Sequence, residues 1–174
     1  MAISGFSHHV LLSKRFDRNE AGKRIHFASA MTMLGLTDGQ NASTGNGYLD
    51  IVDFILQGCC DVEKNLQELY RRVAFNIAIG NTDDHFRNHG FLLTPKGWTL
   101  SPAYDLNPTL VRDQSLLINA YTTESNLDIL LDSCDDYMIS SKVAGSIISQ
   151  VKGSMSSWSK LATSIGLSLT EQNM

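Results

Sequence analysis

Gly80-Asn81-Thr82-Asp83-Asp84-His85-Phe86-Arg87-Asn88-His89 is the stretch on which the reading of this 174-residue chain turns. All of it except Phe86 is polar or glycine. It lies between the most strongly apolar helical pattern in the chain and a hairpin pattern. Polar residues wedged between two apolar elements are costly unless they do chemistry. A second polar group, Tyr104-Asp105-Leu106, follows just past the hairpin.

The upstream helix is predicted over Val62–Ile79. Its apolar residues are Leu66, Leu69, Tyr70, Val73, Ala74, Phe75, Ile77 and Ala78, so the C-terminal half should be the more deeply buried. Asp61 is a candidate N-cap and Gly80-Asn81 the stop. Downstream, Gly90–Leu93 and Trp98–Ser101 read as strands joined by the turn Thr94-Pro95-Lys96-Gly97. Toward the N-terminus, Val10–Phe16 reads as a strand, Asp17–Gly22 as a turn and Phe27–Leu34 as a helix stopped by Gly35. Thr37–Gly47 is a loop and Leu49–Leu56 a short helix. After Pro102 the chain is irregular to about Asn126. Helices are then predicted near Leu127–Leu131, Tyr137–Val151 and Met155–Ile165. No repeat, low-complexity segment or linker divides the chain, so residues 1–174 are read as one domain, mainly α with a small β-hairpin.

Composition narrows the function classes. Hydrophobic residues make up 43%, enough for a core, and the formal net charge is −4. The basic residues are scattered apart from Lys14, Arg15 and Arg18, so direct nucleic-acid binding is not expected. The start lacks the pattern of a signal peptide, and no run reaches about 18 apolar residues, so a cytoplasmic, non-membrane protein is expected. Cys59, Cys60 and Cys134 form no CxxC and are read as reduced, buried thiols.

Spacing supplies the chemistry. Asp83 and Asn88 are five apart, the D-x-x-x-x-N spacing of a kinase catalytic loop. A hairpin follows, then Asp105 between an aromatic and an aliphatic residue, where protein kinases carry a metal-binding Asp. Phosphoryl transfer needs positioning and charge neutralisation more than covalent chemistry. Asp83 suits a base that orients an acceptor hydroxyl. Asn88 and Asp105 suit Mg²⁺, which takes hard oxygen donors and keeps several waters. His85 and Arg87 can steady phosphates or the loop. Two simpler readings stand beside this one. Asp83 and Asp84 can serve only as turn formers. Alternatively His85, His89 and one of these Asp residues could hold a transition metal, as in a metal-dependent hydrolase.

Lys14-Arg15-Phe16-Asp17-Arg18, Gly80–Asn88 and Ser101-Pro102-Ala103-Tyr104-Asp105-Leu106 resemble the HipA family, kinase toxins of bacterial toxin–antitoxin pairs. The resemblance runs from about Val10 to the last helices. It implies a protein-kinase-like C-terminal lobe that uses ATP and Mg²⁺, with Asp83 as the catalytic Asp. It also implies nucleotide contacts at His85, Phe86, Arg87 and Asn88, with Tyr104 and Asp105 at the metal and phosphate end. Lys14, Arg15 and Phe16 would fall on the hinge that meets adenine. Family substrates include aminoacyl-tRNA synthetases phosphorylated on serine, and an antitoxin is an implied partner. A full member also has an N-terminal lobe with a glycine-rich phosphate loop and a strand lysine. Neither is found ahead of Val10, where Gly5 is the one glycine, and Lys14 is a poor stand-in for the lysine. The expectation is therefore a lobe that is incomplete without a separate N-lobe protein. The alternative is a catalytically inactive binding module or truncated relic that docks a partner through an apolar patch near residues 3–12.

Overall fold

The computed structural model describes residues 2–3 and 10–168. The central element is the helix α3, Val62–Ile79. Leu66, Leu69, Tyr70, Val73 and Ala74 are buried along it. Each large apolar side chain removed from water there contributes about 1.5–3 kcal/mol. The helices in chain order are α1 (Ala30–Met33), α2 (Tyr48–Gly58), α3, α4 (Leu127–Asp132), α5 (Ser141–Met155) and α6 (Trp158–Ser164). α3 packs against α2, α4 and α5. α2 contributes Tyr48, Ile51, Val52 and Ile55 to the core, and α5 contributes Ala144, Ile147, Ile148 and Val151.

The strands are β1 (Ala2–Ile3), β2 (Val10–Leu11), β3 (Phe27–Ser29), β4 (Gly90–Thr94) and β5 (Gly97–Leu100). β1 and β2 form a small antiparallel ladder. β3, β4 and β5 form a three-stranded antiparallel sheet in that order. Phe27 pairs with Leu92 and Ser29 with Gly90, while Phe91 pairs with Leu100. Gly90 leaves room for the Phe27 ring, which a Cβ there would displace.

The expected hairpin thus gains a third strand. The helix predicted over Phe27–Leu34 is confined to Ala30–Met33, because Phe27–Ser29 pair with β4 and Ser29 caps what remains. The strand expected over Val10–Phe16 ends at Leu11. The predicted Tyr137–Val151 helix begins only at Ser141. Met138 adopts a left-handed backbone (φ 57°) that closes a 3₁₀ turn over Cys134–Tyr137. The loop over Thr37–Gly47 contains a 3₁₀ turn, Ala42–Thr44, closed by a reciprocal Asn41–Thr44 capping box.

On α3 two expectations fail. Asp61 sits at the N-cap but makes no side-chain cap bond; its own backbone is left-handed (φ 47°). Burial is also deepest in the middle of the helix, and Phe75, Ile77 and Ala78 are only partly buried. Gly80 does end the helix in a left-handed conformation (φ 71°).

A row of buried polar residues, Asn65, Arg72 and Asn76, runs along α3. Asn65 Nδ2 donates to Cys60 O (2.6 Å) and Asp61 O (3.2 Å). Its Oδ1 accepts from Leu100 N (2.8 Å) and from the Thr99 hydroxyl (2.9 Å). One side chain thereby ties the start of α3 to β5. Asn65→Leu is expected to lower stability by about 2–4 kcal/mol, because it strands several buried groups at once. Urea unfolding of the two proteins measures it.

Candidate active site

The segment from Asn81 to His89 alternates between solvent and core. Asp83 and Arg87 are exposed and His85 is half-buried, whereas Asp84, Phe86, Asn88 and His89 are buried. Its backbone carbonyls are tied from several directions. Thr82 O accepts from Ser115 N (3.0 Å) and Ser115 Oγ (2.8 Å). Asp83 O accepts from Asn88 Nδ2 (3.0 Å). His85 O accepts from Asn88 N (2.8 Å), Phe86 O from Met31 N (3.2 Å) and His89 O from Ala30 N (2.8 Å). Arg87 O accepts from the Tyr104 hydroxyl (2.6 Å). A loop so fixed holds its outward side chains without further ordering cost.

Beneath it lies Asp84, 2% exposed. Its Oδ2 accepts from the Tyr48 hydroxyl (2.7 Å), from His89 Nε2 (3.0 Å) and from Asn76 Nδ2. Tyr48 and His89 also meet edge to face, with ring centroids 5.7 Å apart. Burial by itself raises the Asp84 carboxyl. The charge and hydrogen bond of His89, the Tyr48 hydroxyl and the Arg72 guanidinium outweigh it and hold the carboxyl below its ordinary range. Burial, then the neighbouring Asp84, push the Tyr48 phenol well above its usual value, so it stays a donor.

Asp83 opens into a cleft of about 170 Å³ shared with Asp38, Asn41, His85, Arg87 and Ser115. Arg87 is ion-paired there with Asp38 and lies 3.4 Å from His85 Nε2. Asn88 donates its amide nitrogen to Asp83 O, so a metal would take its side-chain oxygen. Asp105 is exposed, has a left-handed backbone (φ 57°) and takes Asn107 Nδ2 on Oδ1 (2.8 Å). The donor set of Asn88 and Asp105, one neutral and one charged oxygen ligand, fits Mg²⁺.

A second cleft, about 350 Å³, is lined by Lys14, Arg15, Phe16, Phe27 and Tyr104. The Phe16 ring lies 5.8 Å from Phe27 and 5.7 Å from Tyr104, giving an aromatic corner suited to a planar ring. Burial pushes the Tyr104 phenol up to about 12, so it too remains a donor. Arg15 is not free in this cleft. It forks onto Asp17 (2.7 and 2.6 Å), which Arg18 also contacts (2.6 Å). The Arg15 hydrogen bond is the main reason the Asp17 carboxyl falls to about 2.

His85 and His89 do not join an Asp around a common point. His89 is fully buried, with Nε2 on Asp84. Among the described residues no group of three or more His, Cys, Asp or Glu is placed to hold a metal ion. The transition-metal alternative therefore has no site. Of the apolar patch expected near residues 3–12, Leu12 is exposed and the rest lies outside the described side chains. His8 and His9 also lie outside the described residues. No described helix is long and apolar enough to cross a membrane.

Sequence reasoning missed Asp84, His89, Tyr48, Asn76 and Arg72 as a supporting shell. The available signal was Arg72 and Asn76, four apart on the buried face of α3.

A family described as HipA-like C-terminal domain matches residues 1–159. The serine/threonine-protein kinase toxin HipA of Shewanella oneidensis is 31% identical over 114 residues, covering 56% of this chain and 26% of that protein. A solved complex of Shewanella oneidensis HipA with HipB and operator DNA contains a chain that superposes with a TM-score of 0.71 at 20% identity. That match covers 87% of this chain and 41% of the solved one. The chain therefore spans about a quarter of the curated relative and two-fifths of the solved chain.

The Asp84 site yields a pH prediction. A carboxyl whose folded value lies below its ordinary 3.8 stabilises the fold above that value and loses the contribution as pH falls through the folded one. Asp84→Asn is expected to destabilise at neutral pH. The gap to the parent protein should narrow below about pH 4. Denaturant midpoints at pH 7 and pH 3 compare the two.

Proposed function

As a member of the HipA-like C-terminal domain family, this chain is, we propose, the catalytic lobe of a serine/threonine protein kinase that acts as the toxin of a toxin–antitoxin pair. The observation that carries the proposal is the placement of Asp83. It is the carboxylate of the Gly80–His89 stretch that faces solvent, in a cleft, five residues before an Asn that ties back to its carbonyl.

In this reading Asp83 orients the acceptor hydroxyl and accepts its proton. The Asp84 network and the carbonyl ties keep that carboxylate in place, so little reorganisation accompanies the reaction. Asn88 and Asp105 would hold Mg²⁺, which when bound offsets the charge of the phosphates. The cleft formed by Phe16, Phe27 and Tyr104 would receive the adenine of ATP, with Lys14 at its rim. Arg87 and His85 flank the phosphates, and Arg87 must leave Asp38 to do so. Phe86 is a core residue that anchors the segment from below.

The glycine-rich loop and strand lysine of the family would come from an N-lobe. An antitoxin partner is proposed from the relative solved with HipB. The protein substrate would present a Ser or Thr; an aminoacyl-tRNA synthetase is the family's precedent.

With an N-lobe supplied, Asp83→Asn is expected to lower phosphotransfer by about a hundredfold or more while leaving the fold intact. Radiolabel transfer from ATP, alongside a thermal melt, tests this, and transfer at the parent rate removes Asp83 as the base. Asp105→Ala is expected to weaken Mg²⁺-dependent ATP binding in calorimetry. Equal affinities would take Asp105 out of the metal site.

A further inference from the structure

A cleft that the proposed function does not use lies on the α5 side of α3. Its volume is about 340 Å³, and it is walled by Phe75 of α3, Ala103 and Leu106 of the segment after β5, and Val151 of α5. Glu68, Arg71, Gln150 and Ser154 complete its lining together with Arg72. Its size is at the lower end of small-molecule sites.

Arg72 makes this cleft unusual. It is 3% exposed. One of its nitrogens, Nη2, donates to Ser101 O (2.6 Å). Nε and Nη1 are buried and have no acceptor in the described structure. Burial lowers the guanidinium's pKa, yet it remains charged at neutral pH. A buried cation with unmet donors costs stability unless an anion completes it. The other charges at the cleft do not complete it. Glu68 is drawn to Arg71, at 2.9 Å, and stays partly exposed at the rim.

We propose that this cleft is a binding site for a small organic carboxylate. Its apolar body would lie against Phe75, Leu106 and Val151, and its carboxylate would turn toward Arg72 and Arg71. The donors it needs are shielded from bulk water, so binding requires the Arg72 side chain to turn them toward the ligand. The cleft also borders Ala103 and Leu106, on either side of Tyr104-Asp105, and Arg72 holds Ser101. Occupancy would therefore bear on the segment that the proposed function assigns to metal. The binding site itself rests on none of that function, so its test stands apart from kinase activity.

Octanoate is the probe, titrated calorimetrically into the chain, with octanol and inorganic phosphate as controls. Octanoate should bind, and octanol and phosphate should each bind at least about tenfold more weakly, the scale of a charged hydrogen bond. Arg72→Met should weaken octanoate about tenfold or more. If that variant fails to fold, Ser154→Trp, an exposed rim substitution, should block binding alone. Glu68→Gln should tighten it by removing a competing negative charge. No octanoate binding overturns the proposal. So does octanol or phosphate binding as well as octanoate, or octanoate affinity unchanged in Ser154→Trp.

Discussion

Three hydrogen-bond donors converge on one buried oxygen, Oδ2 of Asp84: the hydroxyl of Tyr48 from α2, the amide of Asn76 from α3 and the imidazole of His89 next to β4. The rest of the site depends on this point. A carboxylate taken out of water is tolerable only when its partners are in place. The loop is therefore coupled through Asp84 to two helices and to the start of the sheet, while neighbouring Asp83 faces the cleft.

The same helix serves both halves of the candidate site. Asn76 holds the Asp83 segment through Asp84, and Arg72, one turn earlier, holds the start of the Asp105 segment through Ser101 O. Asn65, two turns further back, holds β5, the strand that connects the two. α3 is thus both a core helix and a polar rail, and the spacing of its three buried polar residues sets the spacing of the segments above it. Tyr104 closes the arrangement, since its hydroxyl bonds Arg87 O across the two segments.

Much of this was legible in the sequence because it is local. The 3.6-residue pattern and Gly80 bounded α3 correctly, and turn residues marked the β4–β5 hairpin. Of the three residues picked out by spacing, Asp83 lines a cleft, Asn88 is buried with its amide on Asp83 O, and Asp105 is exposed beyond β5. Phe27–Ser29 departs from the helical expectation because Phe27, Ala30, Met31 and Leu34 mimic a helical stripe. The competing pairing with β4 lies some sixty residues away and leaves no local trace. The sequence offers Asp84 only as a turn former or a transition-metal ligand, because its buried role depends on Tyr48 and His89 coming together beneath the loop.

The most direct test of the account is Mg²⁺–ATP binding by calorimetry, on this chain alone and with a glycine-rich N-lobe supplied. The account predicts binding that requires Mg²⁺ and strengthens when the lobe is added. Binding in neither condition, or binding indifferent to Mg²⁺, would contradict it.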